Sequence, residues 1–320
     1  MVKHFLNKLR KGSADTIKEG KGDIISFSLK KDRILDYIFN KILLLSALCI
    51  VLFVVGMLIT LIAASSESIK QFGLKFFVTN IWDYKNNIYG SLAFMTGTLA
   101  TSFIALLISL PFSFSISILL GVYLREGFLS NFIKVTTELL AGIPSVIYGF
   151  WGFFFMGPIM RSVAVFFGVE GSSGYGIITS SIILAIMIIP YTASIGREVI
   201  ELVPGNLVEG AYSLGATRFE VVTKIVVPFA FSGIFAGVIL SLGRALGETM
   251  AVTMLIGNTN DIPKGLFSTG NTIASVIANE FNEASGVKMA SLIELGFVLM
   301  AITLVVNFIG KYIIKKMSME

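Results

Sequence analysis

Residues 229–257 read FAFSGIFAGVILSLGRALGETMAVTMLIG, an apolar run long enough to cross a bilayer as one helix. Arg244 and Glu248 interrupt this run. A charged side chain at bilayer depth costs about 3 kcal/mol or more, so it is rare there and by default marks an ion or substrate path. Because the two residues are four positions apart, a continuous helix places them on one face, where they can pair. The run therefore predicts a membrane span with a functional charge pair.

The whole chain has the composition of a membrane protein. Of its 320 residues, 55% are hydrophobic and 14% are charged, whereas soluble domains have about 25% charged residues. Five further apolar runs are long enough to span a bilayer: 42–64, 91–121, 132–156, 174–195 and 289–313. Segment 157–173 holds only a short amphipathic piece, which we expect at the membrane interface. The sequence thus predicts an all-α membrane protein with six transmembrane helices.

The distribution of Lys and Arg predicts the orientation. With six spans both termini lie on one side, and 18 of the 25 basic residues fall in segments on that side, against six on the other. Cytoplasmic loops carry this excess, so we predict that both termini are cytoplasmic. Seven spans, the alternative count, would place the termini on opposite sides. Ten basic residues precede residue 42, so the net charge of +5 indicates topology and not nucleic acid binding.

Several kinds of functional site lack the residues that they need. The single cysteine, Cys49, cannot form an intrachain disulfide, and the single histidine, His4, lies in the polar N-terminal tail. Metal sites built on several His or Cys residues, and a triad with a buried histidine, are therefore excluded. The chain also has no Gly-x-x-x-x-Gly-Lys-Ser/Thr loop. We expect no cofactor on this chain; if ATP powers it, ATP and Mg²⁺ bind another subunit.

The segment 197–228 predicts a structured loop between two spans. Pro204 suits the first turn of a helix over about 205–213, and Gly215 suits the left-handed residue just past its end. Thr217 and Glu220 have the spacing of a capping box, which starts a second helix that leads into the next span. A short helix on the cytoplasmic face, joined by a tight turn to a transmembrane helix, is suited to contact a soluble partner.

This loop resembles the EAA loop in permease subunits of ABC importers. The pattern is carried by Glu209, Gly210, Ala211, Gly215, Ile225 and Pro228. Gly210 departs from it, since alanine is usual there, and glycine slightly loosens a helix. The resemblance implies a type I, MetI-like permease fold. It also implies that the loop, with Thr217 and Glu220, docks in a cleft of an ATPase subunit and transmits its closure.

Three stretches resemble the PstC-type permeases of inorganic phosphate importers: 138–149, 189–199 and 243–252. The sister PstA-type permeases usually continue with Ala-Pro after the threonine, where this chain has Met250-Ala251-Val252. The resemblance implies a non-catalytic subunit of the prokaryotic cell membrane that forms half of a translocation path. Its expected partners are a PstA-type permease, two ATPase subunits on the cytoplasmic face and an external phosphate-binding protein.

The expected organisation follows from these spans and this resemblance. Residues 1–40 form a basic cytoplasmic tail, 41–90 the first transmembrane helix and an external loop, 91–314 the permease domain, and 315–320 a cytoplasmic tail. In this domain Arg244 lies about 24 Å along its helix from Pro228, near or somewhat beyond mid-membrane. A guanidinium offers a planar donor fork that suits phosphate oxygens, which makes Arg244 and Glu248 the predicted substrate path.

The role of Glu248 has three interpretations. It can neutralise Arg244 between passages of the anion, so that the site stays weak enough for release. It can accept a hydrogen bond from a protonated phosphate oxygen, which sulfate does not offer at neutral pH. The third is a buried structural ion pair with Arg244.

Other residues have more local interpretations. Gly142 and Pro144 predict a helix kink near the path, with phosphate contact through freed backbone amides as the alternative. Gly233 and Gly237 predict close helix packing, which includes packing against the second permease. Glu294, a turn or so inside the last span, is expected to reach toward the outer interface. The rival functions are a permease for sulfate, molybdate or another oxyanion, and an intramembrane enzyme that uses Glu248 or Glu138.

Overall fold

The computed structural model describes residues 36–317, so the predicted tails lie almost entirely outside the described residues. The chain forms two units, Met1–Thr60 and Leu61–Glu320, which are described separately. Of the first unit, the described part belongs to the apolar helix α1, Asp36–Ala64. All remaining elements belong to the second unit.

The second unit is helical apart from one short hairpin. Its elements are α2 (Ser66–Phe72), α3 (Lys75–Val78), β1 (Trp82–Asp83), β2 (Ile88–Tyr89), α4 (Leu92–Ile118), α5 (Phe128–Gly142), α6 (Ser145–Trp151), α7 (Gly157–Phe166), α8 (Ile177–Glu201), α9 (Gly205–Ser213), α10 (Arg218–Val221), α11 (Val227–Leu246), α12 (Met250–Leu255), α13 (Ile273–Glu280) and α14 (Gly286–Met317). Turns of π-helix extend α4 over Leu119–Tyr123, join α6 to α7 over Gly152–Met156, and join α10 to α11 over Val222–Val226.

Six helices of the described chain are long and apolar enough to cross a membrane, which confirms the predicted number. They are Asp36–Ala64, Leu92–Tyr123, Ser145–Phe166, Ile177–Glu201, Arg218–Leu246 and Gly286–Lys316. The positions of two spans differ from the sequence prediction.

The third span was predicted wrongly. It was expected over 132–156, whereas the span is Ser145–Phe166 and α5 is a separate helix that ends at Gly142. Proline disfavours the helical conformation of the residue before it, and Ile143 is extended, with φ −68° and ψ 128°. Segment 157–166, expected at the interface, instead completes this span as α7. Hydropathy did not register the break because the residues around Pro144 are apolar on both sides.

The fifth span lies closer to the N-terminus than predicted, over Arg218–Leu246. It was expected over 229–257, but α11 ends at Leu246 and α12 begins only at Met250. Gly247 follows the last helical residue, and glycine is a poor helix former. Arg244 therefore lies in the last turn of a helix, and Glu248 lies in the break after it.

Small and hydroxyl side chains bring the central helices together. Ser113 and Ser117 of α4 donate hydrogen bonds to the carbonyls of Ile189 and Ala193 in α8, at 3.3 and 3.0 Å. Thr192 of α8 donates to the Ser241 hydroxyl of α11 at 2.6 Å. Such contacts replace the hydrophobic drive that is absent between helices in lipid.

Gly233 and Gly237 serve close packing inside the chain. A Cβ on Gly233 would lie 2.7 Å from Val199 Cγ2, and one on Gly237 would lie 3.0 Å from Ile195 Cγ2. Both neighbours belong to α8, so these glycines face α8 and not a second permease. The close approach fixes α11 against α8 along the length that leads to Arg244.

Glu294 is buried, contrary to the expectation that it reaches the interface. Glu294 is only 3% exposed, and its Oε2 atom has no hydrogen-bond partner within the described chain. The neighbouring turn of α14 carries Ser291, whose hydroxyl lies 3.0 Å from that of Ser68 in α2. The packing of α2 on α14 covers this face, which a hydropathy pattern does not reveal.

Candidate functional site

Arg244 contacts an aromatic ring near the middle of a neighbouring span. Its Cζ lies 4.4 Å from the ring centroid of Tyr191 in α8. At 1.5 Å per residue, Tyr191 lies about 21 Å from the start of α8 and about 15 Å from its end. Helical side chains lean toward the N-terminus of their own helix, which carries the guanidinium back from the end of α11. The cation is thus held at mid-span depth.

The predicted pairing of Arg244 with Glu248 is absent. None of the ion pairs within residues 36–317 involves Arg244. The Oε1 atom of Glu248 instead accepts a hydrogen bond from the backbone N–H of Ala251 at 3.4 Å, in the first turn of α12. The reason is the helix break, because residues on either side of it no longer share one face. Arg244 remains an exposed cation on this chain's surface.

The predicted kink at Gly142 and Pro144 is a complete break between α5 and α6. The last carbonyls of a helix lack intrahelical donors. Two tyrosine hydroxyls bond such carbonyls here: Tyr191 donates to Ala141 at 3.2 Å, and Tyr148 donates to Leu140 at 2.9 Å. The break is therefore stabilised by side chains from two different spans, one of which also contacts Arg244.

The two broken helices pack against each other. A Cβ on Gly149 of α6 would lie 3.0 Å from the Ala251 Cα in α12, so these segments are in close contact. Non-helical backbone at membrane depth occurs where it is buried in protein or lines a water-filled cavity. Both breaks, with Arg244 and Tyr191, form what we call the break site: Ile143, Pro144, Tyr191, Arg244 and Glu248.

Sequence reasoning missed Tyr191 as a member of this site. The stretch Ile189-Pro190-Tyr191 contributed to the family resemblance, but an aromatic residue in an apolar run is not in itself a sign of function. Its contact with Arg244 joins positions far apart in the chain. The sequence did contain one signal for this site: a tyrosine hydroxyl within an apolar span needs a polar partner.

The loop that follows α8 has the local structure that the sequence predicts. Helix α9 covers Gly205–Ser213, and Gly215 has a φ of +84°. The Thr217 hydroxyl accepts from the Glu220 N–H at 3.3 Å, and the Glu220 carboxylate accepts from the Thr217 N–H at 3.0 Å. This capping box is therefore complete, and α10 begins from it.

Helix α9 has one face toward the bundle and one toward the outside. Ala211 is buried among Ile200 and Val221, whereas Glu209 and Gly210 are exposed. Four large apolar side chains on α9 and just after it are exposed, and we call them the coupling surface: Leu207, Tyr212, Leu214 and Phe219. Leu214 is 90% exposed, and exposed apolar side chains of this size are typical of a protein or membrane contact.

A continuous helix joins the coupling surface to the break site. From the capping box at Thr217 the chain is helical through α10, the π turn and α11 as far as Leu246. Arg244 stands in the last turn of that helix, and Glu248 lies beyond it.

The six spans, one of them with a cation at mid-span depth, define a multi-pass membrane protein. Residues 113–319 match the family model described as "Binding-protein-dependent transport system inner membrane component". The chain belongs to this family, among its PstC-type permeases.

Curated relatives match over most of their length. The chain is 42% identical over 300 residues to the "Phosphate transport system permease protein PstC" of Haemophilus influenzae, covering 89% of this chain and 94% of that one. It is 37% identical over 266 residues to the "Probable phosphate transport system permease protein PstC" of Methanocaldococcus jannaschii, covering 78% and 84%.

Solved structures share the fold. The MetNI methionine ABC transporter, in an inward facing conformation, matches 70% of this chain and 94% of its own chain, with a TM-score of 0.53 at 17% identity. A bacterial ABC transporter involved in the import of the polysaccharide alginate matches 90% and 98%, with a TM-score of 0.56 at 20% identity. These neighbours confirm the predicted importer permease fold.

Proposed function

We propose that the chain is the transmembrane permease subunit of an ATP-driven importer of inorganic phosphate. The observation that carries this proposal is Arg244, a cation at mid-span depth that no carboxylate of the described chain neutralises. A charge in that position requires a water-filled path, a partner subunit or a passing anion. Phosphate satisfies the requirement, and the curated relatives carry phosphate transport in their names.

The chemistry of the break site suits an oxyanion. The guanidinium is always charged and presents several N–H donors in one plane, which match two oxygens of a phosphate group. Its contact with a neutral ring leaves its charge available. Glu248, in the break after α11, supplies an acceptor suited to the hydroxyl of a monoprotonated or diprotonated phosphate.

The proposed assembly follows from the surfaces that the chain leaves open. The exposed side of the break site faces a PstA-type permease, and the two permeases enclose the path between them. The coupling surface faces an ATPase subunit in the cytoplasm, with both termini of this chain on the same side, as the bias of basic residues predicts. That subunit binds ATP with Mg²⁺ and hydrolyses the ATP, while an external binding protein delivers phosphate.

ATPase closure drives the path through the helix from Thr217 to Leu246. Because Gly233 and Gly237 hold this helix closely against α8, a displacement of α9 tilts the two helices together. The motion carries Arg244 and Tyr191 with it. The contact between Arg244 and phosphate thereby becomes accessible first from one side of the membrane and then from the other.

Anion uptake in cells that lack the gene for this chain tests the proposal. Restoring the gene should restore uptake of radiolabelled phosphate, and excess sulfate or molybdate should not compete. Competition by either anion would favour the other-oxyanion permease. Copurification with an ATPase is expected as well, whereas an intramembrane enzyme would act alone.

A further inference from the structure

Tyr191 connects two features of the break site. Its ring lies against the Arg244 guanidinium, with 4.4 Å between the centroid and Cζ. Its hydroxyl donates to the Ala141 carbonyl at 3.2 Å, in the last turn of α5 before the break. One side chain thus contacts both the cation and the end of the broken helix.

An aromatic ring holds a guanidinium differently from a carboxylate. The ring attracts the cation through its quadrupole and grows more effective where water is excluded. The ring has no anionic oxygen, so it leaves the N–H donors of the guanidinium to other acceptors, whereas a carboxylate would take them. The ring contact also restricts a long side chain that otherwise samples many rotamers.

We infer that Tyr191 is a positioning residue for the anion path. Its ring holds the Arg244 guanidinium in place while the N–H donors stay available to an anion, and its hydroxyl links this arrangement to the end of α5. The inference rests on the proposed function, because it assigns Arg244 to anion passage. It also couples the end of α5 to the position of Arg244, because movement of the α5 break displaces the Tyr191 ring and with it the guanidinium.

Three variants separate the ring from the hydroxyl. Tyr191→Leu removes both, and Tyr191→Phe removes only the hydroxyl. Tyr148→Phe is the matched control: its hydroxyl donates to Leu140, the carbonyl one residue earlier, and its ring makes no cation–π contact with Arg244. Each variant is studied in the assembled complex with its ATPase and binding protein, reconstituted in proteoliposomes.

Two measurements are made on each complex. The first is the rate at which phenylglyoxal modifies Arg244, followed by peptide mass spectrometry, which does not depend on the substrate. The second is anion uptake per ATP hydrolysed. Tyr191→Leu should raise the modification rate and lower the uptake ratio by about 2- to 30-fold, the range of a cation–π contact. Tyr191→Phe should leave the modification rate near that of the wild type but lower the uptake ratio by about 2- to 10-fold.

The outcomes distinguish this inference from the proposed function. An unchanged modification rate in Tyr191→Leu overturns the positioning role, and so does an unchanged uptake ratio. If Tyr191→Leu fails to assemble, Tyr191→Phe decides: an uptake ratio equal to that of the wild type overturns the tie to α5. If the wild-type complex takes up sulfate or molybdate but not phosphate, the proposed function fails, while loss of that uptake in Tyr191→Leu still supports the positioning role.

Discussion

Arg244 and Glu248 are four residues apart, yet they do not share a helix face, because α11 ends at Leu246 between them. Arg244 contacts the Tyr191 ring, and Glu248 accepts a hydrogen bond from the Ala251 N–H in the first turn of α12. Of the three interpretations of Glu248, the structural ion pair does not fit this arrangement. Neutralisation of Arg244 would require the break to close, whereas a hydrogen bond accepted from a protonated phosphate oxygen requires no change.

Replacing Glu248 tests whether an ion pair is present. Glu248→Gln keeps an oxygen that accepts from the Ala251 N–H, so we expect the free energy of unfolding to change by less than about 0.5 kcal/mol. Breaking a buried ion pair would instead cost about 3–5 kcal/mol. Thermal unfolding of the purified complex measures the difference, and a loss of several kcal/mol would restore the ion-pair interpretation.

Gly210 is predicted to accept the alanine that is usual in the family. No atom lies within 4 Å of a Cβ at this position, so Gly210→Ala should stabilise α9 by about 1 kcal/mol through helix propensity. Gly215→Ala is the matched control, because its φ of +84° strains any other residue by about 1–3 kcal/mol. Melting temperatures of both variants give the comparison. Equal destabilisation by the two alanines would contradict the assigned exposure of Gly210.

Leu214 is predicted to contact the ATPase subunit. Leu214→Glu places a charge on a side chain that is 90% exposed, so the fold of this chain should persist. Association with the ATPase should weaken by at least about 2 kcal/mol if the leucine is a central contact. Leu74→Glu is the control, since Leu74 is 84% exposed at the opposite end of the bundle, near the hairpin. Copurified ATPase is the readout, and an equal yield from both variants would rule out the coupling surface.

Glu294 is predicted to tolerate a neutral amide. No basic residue of the described chain pairs with it, and an ionised carboxylate at 3% exposure would cost several kcal/mol. Glu294→Gln should therefore cost at most about 1 kcal/mol of the free energy of unfolding, the net contribution of one neutral hydrogen bond. Glu280→Gln provides the contrast: it disrupts an ion pair with Lys288 at 2.8 Å and should cost about 1–3 kcal/mol. Assembly and melting of the two variants are compared, and a larger loss at Glu294 would indicate a charged role there.

The coupling loop could be predicted in detail because its signals are local. Pro204, Gly215 and the Thr217–Glu220 box each act over three or four residues, and each one is sufficient to start or end a helix. The number of spans was equally accessible, since it depends only on the length and apolarity of the runs.

The break site could be predicted only in part. Arg244 stood out as a charge in an apolar run, and Gly142 with Pro144 predicted a kink, but the complete break at Pro144 and the break at Gly247 were not predicted. Proline and glycine carried the signal, and hydropathy does not weigh them. The contact with Tyr191 could not be predicted, because it depends on how α8 packs against α11. The burial of Glu294 likewise depends on the packing of α2 on α14.

Phosphate uptake by an Arg244→Gln complex tests the central claim most directly. Glutamine keeps a polar side chain but removes the charge and the donor fork, so loss of two charge-assisted hydrogen bonds should lower uptake about 100-fold. Binding-protein-stimulated ATP hydrolysis should continue, because the coupling surface is intact. The complex is reconstituted in proteoliposomes, and phosphate transported per ATP is measured beside the wild type. A value close to that of the wild type, in a normally assembled complex, would remove Arg244 from the anion path.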